Sequence, residues 1–547
     1  MSTHFESLKN WIAEMANRIE DNSDPEPQHF TPFLYEPVLA LQLIDLIAAL
    51  KEENTTEENP YYSACIFAID ICVAQLQSAQ EVGNKLAMKT LNQLMDHMAE
   101  SILTSQHSLG FWLPILNAFY DVHLELSPKL RDAYLTLAEG DDDKVDTNDD
   151  INHLDAIKDM IDELSNFSVF DIAENFFAQS HAMPADFFVD LVIDLYSIEE
   201  GHEIALLTLL HPKASVRDVV ISTFEHLIQR IILSSISLSR LQAIKNWYPT
   251  MYHDQFNRWI KEQRKQGVIF TPNRSNIPVI KIKASEVDGS GAQGIFIHVK
   301  QGRTNRLCGL LYKYGLGIKD AWLTPAIKLK DIKKYYDETF QDNITLREVD
   351  SNYLQMLTEH FLALTINQGS MPDLHLLEIQ ELLGINFYPN TLEVAALIAE
   401  LSVQIAPFTP NAMQVSFKRS KNWLNTRSFT ESWYIENANV DKLVNRCSSF
   451  VDGIKLCVIE DAITAVLEHE MEVNREKWLF HFLWITLWLK AKARKNEKLW
   501  QDSFFIAYAI YENAPLSSIP LLHEISRQSV INSIETMHDR RTYLNSE

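Results

Sequence analysis

The chain has 547 residues and a formal net charge of −26, with 46% apolar and 22% charged residues. These proportions exclude wholesale disorder, and so acidic a surface excludes free DNA as a general ligand, because a polyanion would be repelled over most of it. The five cysteines are few, widely spread and never paired as C-x₂-C, which weighs against a cysteine-built zinc site and fits a reducing cytoplasm.

The first residues, MSTHFESLKNWIAEM, lack a basic segment followed by an apolar block, so no secretory signal is expected. Ser2 or Thr3 can cap a helix whose apolar positions are Leu8, Ile12, Met15 and Ile19. A proline-bearing linker, DNSDPEPQHFTP, follows at 21–32. Helical patterns then run near 36–51, 60–79 and 81–105, and an aromatic one near 108–122 holds Phe111, Trp112, Phe119 and Tyr120. Cys65 and Cys72 fall on one face of an apolar helix and read as small core residues. An N-terminal helical domain is expected over 1–138.

The run EGDDDKVDTNDDIN at 139–152 interrupts the pattern. Asp146, Asn148 and Asp150 alternate as in a calcium loop, but Ile151 stands where glycine is required and Ile157 where a bidentate glutamate is required. The segment 139–154 is therefore expected to be an acidic linker.

Paired helices are expected over 155–272. In HPKASVRDVVISTFEHLIQR (211–230), Pro212 stops one helix and Ser215 is placed to cap the next. Val216, Val219, Val220, Phe224, Leu227 and Ile228 form an apolar stripe, leaving Arg217 and Asp218 to pair across units. With the helix at 201–210, this helix, proline turn, S-V-R-D, helix arrangement resembles a HEAT repeat, with a weaker echo in APLSSIPLLHEISRQSVINSIE (514–535). The resemblance implies an irregular α-solenoid that binds extended partners through broad faces.

Composition shifts sharply further on. Residues 256–334 hold sixteen Lys/Arg against five Asp/Glu, so the remainder of the chain carries −37, and eight of the fifteen glycines lie in the same stretch. A basic, glycine-rich β-containing module is expected at 273–345. IPVIKIKAS, GIFIHVK and RLCGLLYKY alternate as strands, and Gly302-Arg303-Thr304-Asn305 turns between the second and third. Three antiparallel strands and a helix at 328–341, bearing Lys330, Lys333 and Lys334, are predicted.

A G-x-G-x-x-G occurs at Gly289–Gly294, but a strand rather than a helix follows, so a dinucleotide site fails on context. Lys313 stands where a protein kinase carries its strand lysine, yet neither H-R-D nor D-F-G occurs downstream. The glycines read first as turn makers. A ligand surface would use Asp288, Gly289, Ser290, Gly291 and Gln293 from this turn. The facing loop would add Lys313, Gly315, Gly317, Lys319, Asp320 and Trp322, because glycine turns beside lysines can hold an anion. Lys281, Lys283, Lys300, Arg303 and Arg306 form a candidate basic surface for the protein's own acidic helices, for a protein partner, or for RNA.

Helices return over 346–547, a C-terminal helical domain with Pro372, Pro389, Pro407 and Pro410 at connections and an ambiguous stretch at 415–440. The last four patterns are 458–471, 475–495, 497–512 and 517–536. The second packs Trp478, Trp484 and Trp488 into a helix that is apolar nearly all round, and His481 reads there as a satisfied core histidine. The run Trp478 to Leu489 is too short to span a bilayer, so no membrane span is expected. Glu468, His469, Glu470 and Glu472 read as an exposed helix end, and no H-E-x-x-H, P-loop or G-x-S-x-G occurs.

The expected fold is mainly α, an irregular HEAT-like α-solenoid with a small central antiparallel β module. The expected function is a non-catalytic protein-interaction scaffold needing no cofactor or metal, with the basic module as contact surface. The first alternative is an anion or nucleotide site, conceivably enzymatic, at loops 288–294 and 313–322. The second is RNA binding by the basic module.

Overall fold

The computed structural model describes residues 2–21, 39–51, 59–81, 84–142, 153–270, 279–340, 344–406, 408–425, 433–451, 454–492 and 498–545. The proline linker at 21–32, save Asp21, and the acidic run from residue 143 to 152 lie outside them, as does the predicted strand start at 277–278. The fold is mainly α with a small antiparallel sheet. It has two compact units, Met1–Phe188 with Asp539–Glu547, and Val189–His538.

The first unit is built from helices at the predicted apolar periods. Ser2–Glu20 buries Leu8, Ile12 and Met15, while Ile19 in its last turn stays partly exposed. Leu39–Ala48, Pro60–Glu81, Lys85–Thr104 and Leu109–Asp121 follow. Their starts are held by polar side chains: Asn84 accepts from the N–H groups of Leu86 and Ala87, and Ser108 from that of Phe111. Pro60–Glu81 is long and apolar enough to cross a membrane, and among the described residues no other helix is. It also carries Asp70, and it buries Cys65, Ile69, Cys72 and Val73 in the core of this unit.

The second unit opens with short helices. His202–Leu207, flanked by 3₁₀ turns, leads through Pro212 into Ala214–Leu227. Ser215 does not cap this helix: Lys213 is the residue before its start, with no side-chain cap bond, and Ser215 lies inside the first turn. The Arg217 guanidinium folds back on the carbonyls of His211 and Pro212 and reaches the Gly369 carbonyl at 2.7 Å. Asp218 accepts from the Tyr252 hydroxyl of the helix Thr250–Lys265 at 3.2 Å.

The sheet has five strands, β1 (Val279–Ser285), β2 (Ala292–Gln301), β3 (Thr304–Lys313), β4 (Gly317–Leu323) and β5 (Leu346–Val349), all antiparallel in the order β4-β3-β2-β1-β5. The three predicted strands are β1 to β3. β4 was hidden because Gly317 and Asp320 look like loop residues. β5 has only four residues, too few to show a period.

Register separates two faces. Ile282, Ala284, Ile295, Ile297, Leu310 and Tyr312 share one, because Ile282 pairs with Ile297, Ala284 and Leu310 with Ile295, and Gln293 with Tyr312. This face packs on Ser351–Asn367, where Tyr312 stacks on Phe361 at 4.8 Å, and on Arg475–Lys490, whose Trp488 indole donates to the Ala284 carbonyl at 3.4 Å. On the other face Phe296, Leu307 and Trp322 meet Tyr335 and Tyr336 of the helix Leu329–Phe340.

Two glycines are needed for that packing. A Cβ at Gly309 would stand 2.1 Å from the Trp322 ring, so the indole lies directly over the glycine. Gly317 has φ +85°, and a Cβ there would meet Thr365 Oγ1 at 2.1 Å.

Candidate functional site

The glycine turn is held first by its own polar groups. Asp288 Oδ1 accepts from the Ser290 hydroxyl at 2.6 Å and from the Ala292 N–H at 2.8 Å, and the Gly291 N–H closes the turn on the Asp288 carbonyl. Gly291, at φ +82°, supplies the left-handed position. Its carbonyl receives the Tyr314 N–H at 2.8 Å, which joins this turn to the β3–β4 loop. Lys313 Nζ then reaches Ser290 Oγ at 2.6 Å. Asp288, Ser290, Gly291 and Lys313 are therefore gathered as the sequence suggested, with Gly289 buried among them and Gly315 exposed in the loop beyond.

Gln293 does not join them. It is buried, donates to the Ser285 carbonyl at 2.8 Å, and accepts from Tyr353 Oη at 2.7 Å and Trp484 Nε1 at 2.9 Å. Trp322 is on the opposite sheet face among Phe296, Tyr335 and Tyr336. Lys319 and Asp320 lie along the edge strand β4, and Gly317 serves packing.

The candidate cations divide in the same way. Arg306 Nε donates to the Thr324 carbonyl at 2.8 Å, and its Nη2 lies 3.4 Å from Glu378. Lys281 pairs with Glu348 of β5, and Lys283 lies 3.7 Å over the Tyr336 ring. Burial, and then the neighbouring Lys281, draw the Lys283 ammonium below its usual pKa. Lys300 and Arg303 stay exposed at the β2–β3 hairpin.

Three further residues were not singled out as a site by sequence reasoning. Lys477, in the first turn of Arg475–Lys490, is half-buried, and its Cε stands 3.8 Å from where a Cβ at Gly291 would be. Burial lowers its pKa, and nearby Lys313 lowers it further, against smaller opposing effects of Glu470 and Asp288. Glu470 lies in a π-helical turn, Leu467–Met471, of the kind that recurs at functional sites. Its carboxylate is not exposed at a helix end but engaged by the side-chain amides of Asn437, Asn439 and Asn474.

His481, one helical turn beyond Lys477, is buried as its apolar setting predicts. It is not satisfied among the described residues, where its Nε2 has no partner. Burial, aided by the Lys477 charge, pushes its pKa down to about 3 and keeps it neutral. No motif runs through 470–481 to reveal these groups.

Family models match two segments of the chain. Residues 184–267 match the Y4lR second domain, and residues 395–534 match the Y4lR C-terminal helical domain. The chain is similar to Y4lR over those segments. A relative, the protein named "Uncharacterized protein y4lR" from Sinorhizobium fredii (strain NBRC 101917 / NGR234), is 24% identical over 328 residues. That alignment takes in 59% of this chain and 60% of the relative's length. No solved structure matches. The segments similar to Y4lR flank residues 268–394, which contain the five-stranded sheet. Lys477, Glu470 and His481 fall within the C-terminal helical match, whereas the glycine turn lies outside both.

Proposed function

We propose that this chain is a non-catalytic interaction scaffold of the cytoplasm, in which HEAT-like helical hairpins carry a basic β module that contacts an acidic protein partner. One observation carries this reading. Asn305 and Ile327 exchange backbone hydrogen bonds at 3.1 and 2.8 Å, which draws the start of the helix Leu329–Phe340 against the β2–β3 hairpin. That brings Lys328 to the hairpin that carries Lys300 and Arg303, with Lys330 and Lys333 following in the first turns of the helix, and all five are exposed. None of the five has an ion pair or side-chain hydrogen bond among the described residues. Lys281, Lys283 and Arg306, by contrast, are occupied within the molecule.

A cluster of unpaired cations on a chain of net charge −26 would steer acidic partners to one place and repel them elsewhere. A protein partner is favoured over RNA because no exposed aromatic is interleaved with these five residues. Five cysteines without a disulfide are compatible with a reducing compartment.

The test is affinity capture from the native host with the full chain and with the triple variant Lys300→Glu, Arg303→Glu, Lys330→Glu. A defined partner retained by the first and lost by the second, with thermal stability unchanged, supports the proposal. The same proteins on both baits, or salt-sensitive nucleic acid as the sole captured species, overturns it.

A further inference from the structure

The opposite end of the sheet carries a different arrangement. There the glycine turn, the β3–β4 loop and the first turn of Arg475–Lys490 bring two lysines close together, and neither makes an ion pair among the described residues. Lys313 donates to Ser290, and Lys477 makes no hydrogen bond or ion pair among the described residues. The nearby acids do not neutralise them at contact distance. Asp288 Oδ1 is held by the Ser290 hydroxyl and the Ala292 N–H, and Glu470 is held by three asparagine amides.

Donors are also in surplus here. The Gly289 and Ser290 N–H groups, successive in the turn, make no hydrogen bond among the described residues, although Gly289 is buried. Successive backbone N–H groups in a turn form a concavity that suits an anion. His481, one turn beyond Lys477 on the helix, is 1% exposed among Trp433 and Trp478, and its Nε2 has no partner among the described residues. A buried polar atom without a partner costs about 1–3 kcal/mol, so such a group asks for an explanation.

Gly291 makes the close approach possible. A Cβ at this position would stand 2.9 Å from Tyr314 Cβ, so any side chain would force the turn and the β3–β4 loop apart, while Lys477 Cε lies in ordinary contact at 3.8 Å.

We propose that Lys313, Lys477 and the Gly289–Ser290 backbone amides form a binding site for a phosphoryl group. The donor set suits a tetrahedral oxyanion: two ammonium groups for charge, and two amides for direction. The site is separate from the basic cluster at Lys300 and Lys330, at the other end of the strands, so it can fail without affecting the scaffold reading.

The experiment is isothermal titration of the full chain at fixed ionic strength with inorganic phosphate, with glycerol phosphate and with ATP, using chloride as the control anion. Saturable one-to-one binding is expected from at least one of the three. Phosphate alone would identify a free-ion site, and an ester or nucleotide alone a site that needs the attached group. Lys313→Met and Lys477→Met should each weaken binding at least about tenfold, as loss of one charge-assisted hydrogen bond implies, and Gly291→Val should abolish it.

Arg303→Glu should leave binding unchanged. Should Lys477→Met not fold, Lys313→Met, at the partly exposed end of β3, carries the test alone. No saturable binding by any of the three ligands overturns the proposal, as does undiminished binding in folded Lys313→Met protein.

Discussion

The Gln293 carboxamide oxygen accepts the Trp484 indole N–H at 2.9 Å and the Tyr353 hydroxyl at 2.7 Å, so one side chain of β2 ties the sheet to two helices. All three residues are buried. Replacing Gln293 with leucine removes the acceptor of two buried donors and the donor to the Ser285 carbonyl. A loss of about 2–4 kcal/mol is expected, read as a lower urea midpoint with unchanged slope. A near-silent Gln293→Leu would show that the three groups find other partners.

Glycine substitutions should separate by position. Gly317→Ala combines a positive φ with contacts to Thr365 N at 2.7 Å and the Phe361 carbonyl at 2.8 Å, so helix or strand must move. Gly315, at φ +73°, has nothing within 4 Å, so Gly315→Ala meets only the backbone cost of about 1–2 kcal/mol. Thermal denaturation of both variants should place Gly317→Ala at least twice as far below the parent. Equal shifts would contradict the packing described for Thr365.

Cations of one type should differ as sharply. Arg306 bridges Thr324 and Glu378 in a half-buried setting, and Arg306→Ala leaves Glu378 short of a partner. A loss of about 1–3 kcal/mol is expected there, against less than about 0.5 kcal/mol for exposed Arg303→Ala. Chemical denaturation of the two single variants checks the contrast.

The two units should respond oppositely to pH. In the first, burial and then the nearby Asp121 charge raise the Asp70 pKa to about 7, far above the ordinary carboxyl value. The folded form then holds a proton that the unfolded chain has released, so this group's contribution to stability falls as pH rises from about 4 to 7. Asp70→Asn should remove that slope and raise stability at pH 8.

In the second unit His481 and His360 are held neutral, with pKa values near 3 and 4 by burial. There the unfolded chain binds the extra protons, so stability rises between about pH 4 and 6.5. Hydrogen exchange resolved by segment across pH 4–8 should show the two trends. Parallel trends would refute these assignments.

Much of the helical layout could be read from the chain, because a 3.6-residue period in apolar side chains is a local property. Leu8, Ile12 and Met15 are buried as their spacing requires, and Leu329–Phe340 lies within a residue of the predicted ends. The alternation of Ile295 and Ile297 with Phe296 and His298 predicted β2 and its two faces. β4 escaped because its Gly317 and Asp320 carry no period of two, and its stability comes from Trp322 lying over Gly309 and from Thr365 receiving the Ile318 N–H.

The candidate site divides along the same line. That Asp288, Ser290 and Lys313 meet follows from a short hairpin and its neighbour, within reach of local reasoning. That Gln293 turns inward depends on Trp484 and Tyr353, which are remote in the chain.

By itself, the order of residues determined where helices and strands form, where glycines must turn the chain, and where positive charge gathers against an acidic background. Only the tertiary structure decided which of those charges stay exposed, with Arg306 captured by Glu378 and Lys281 by Glu348 while Lys300 and Arg303 remain outside. It also decided that Lys477 stands beside Gly291. The reason is that periodicity says which face of an element turns inward, whereas the group waiting there is set by packing between segments distant along the chain.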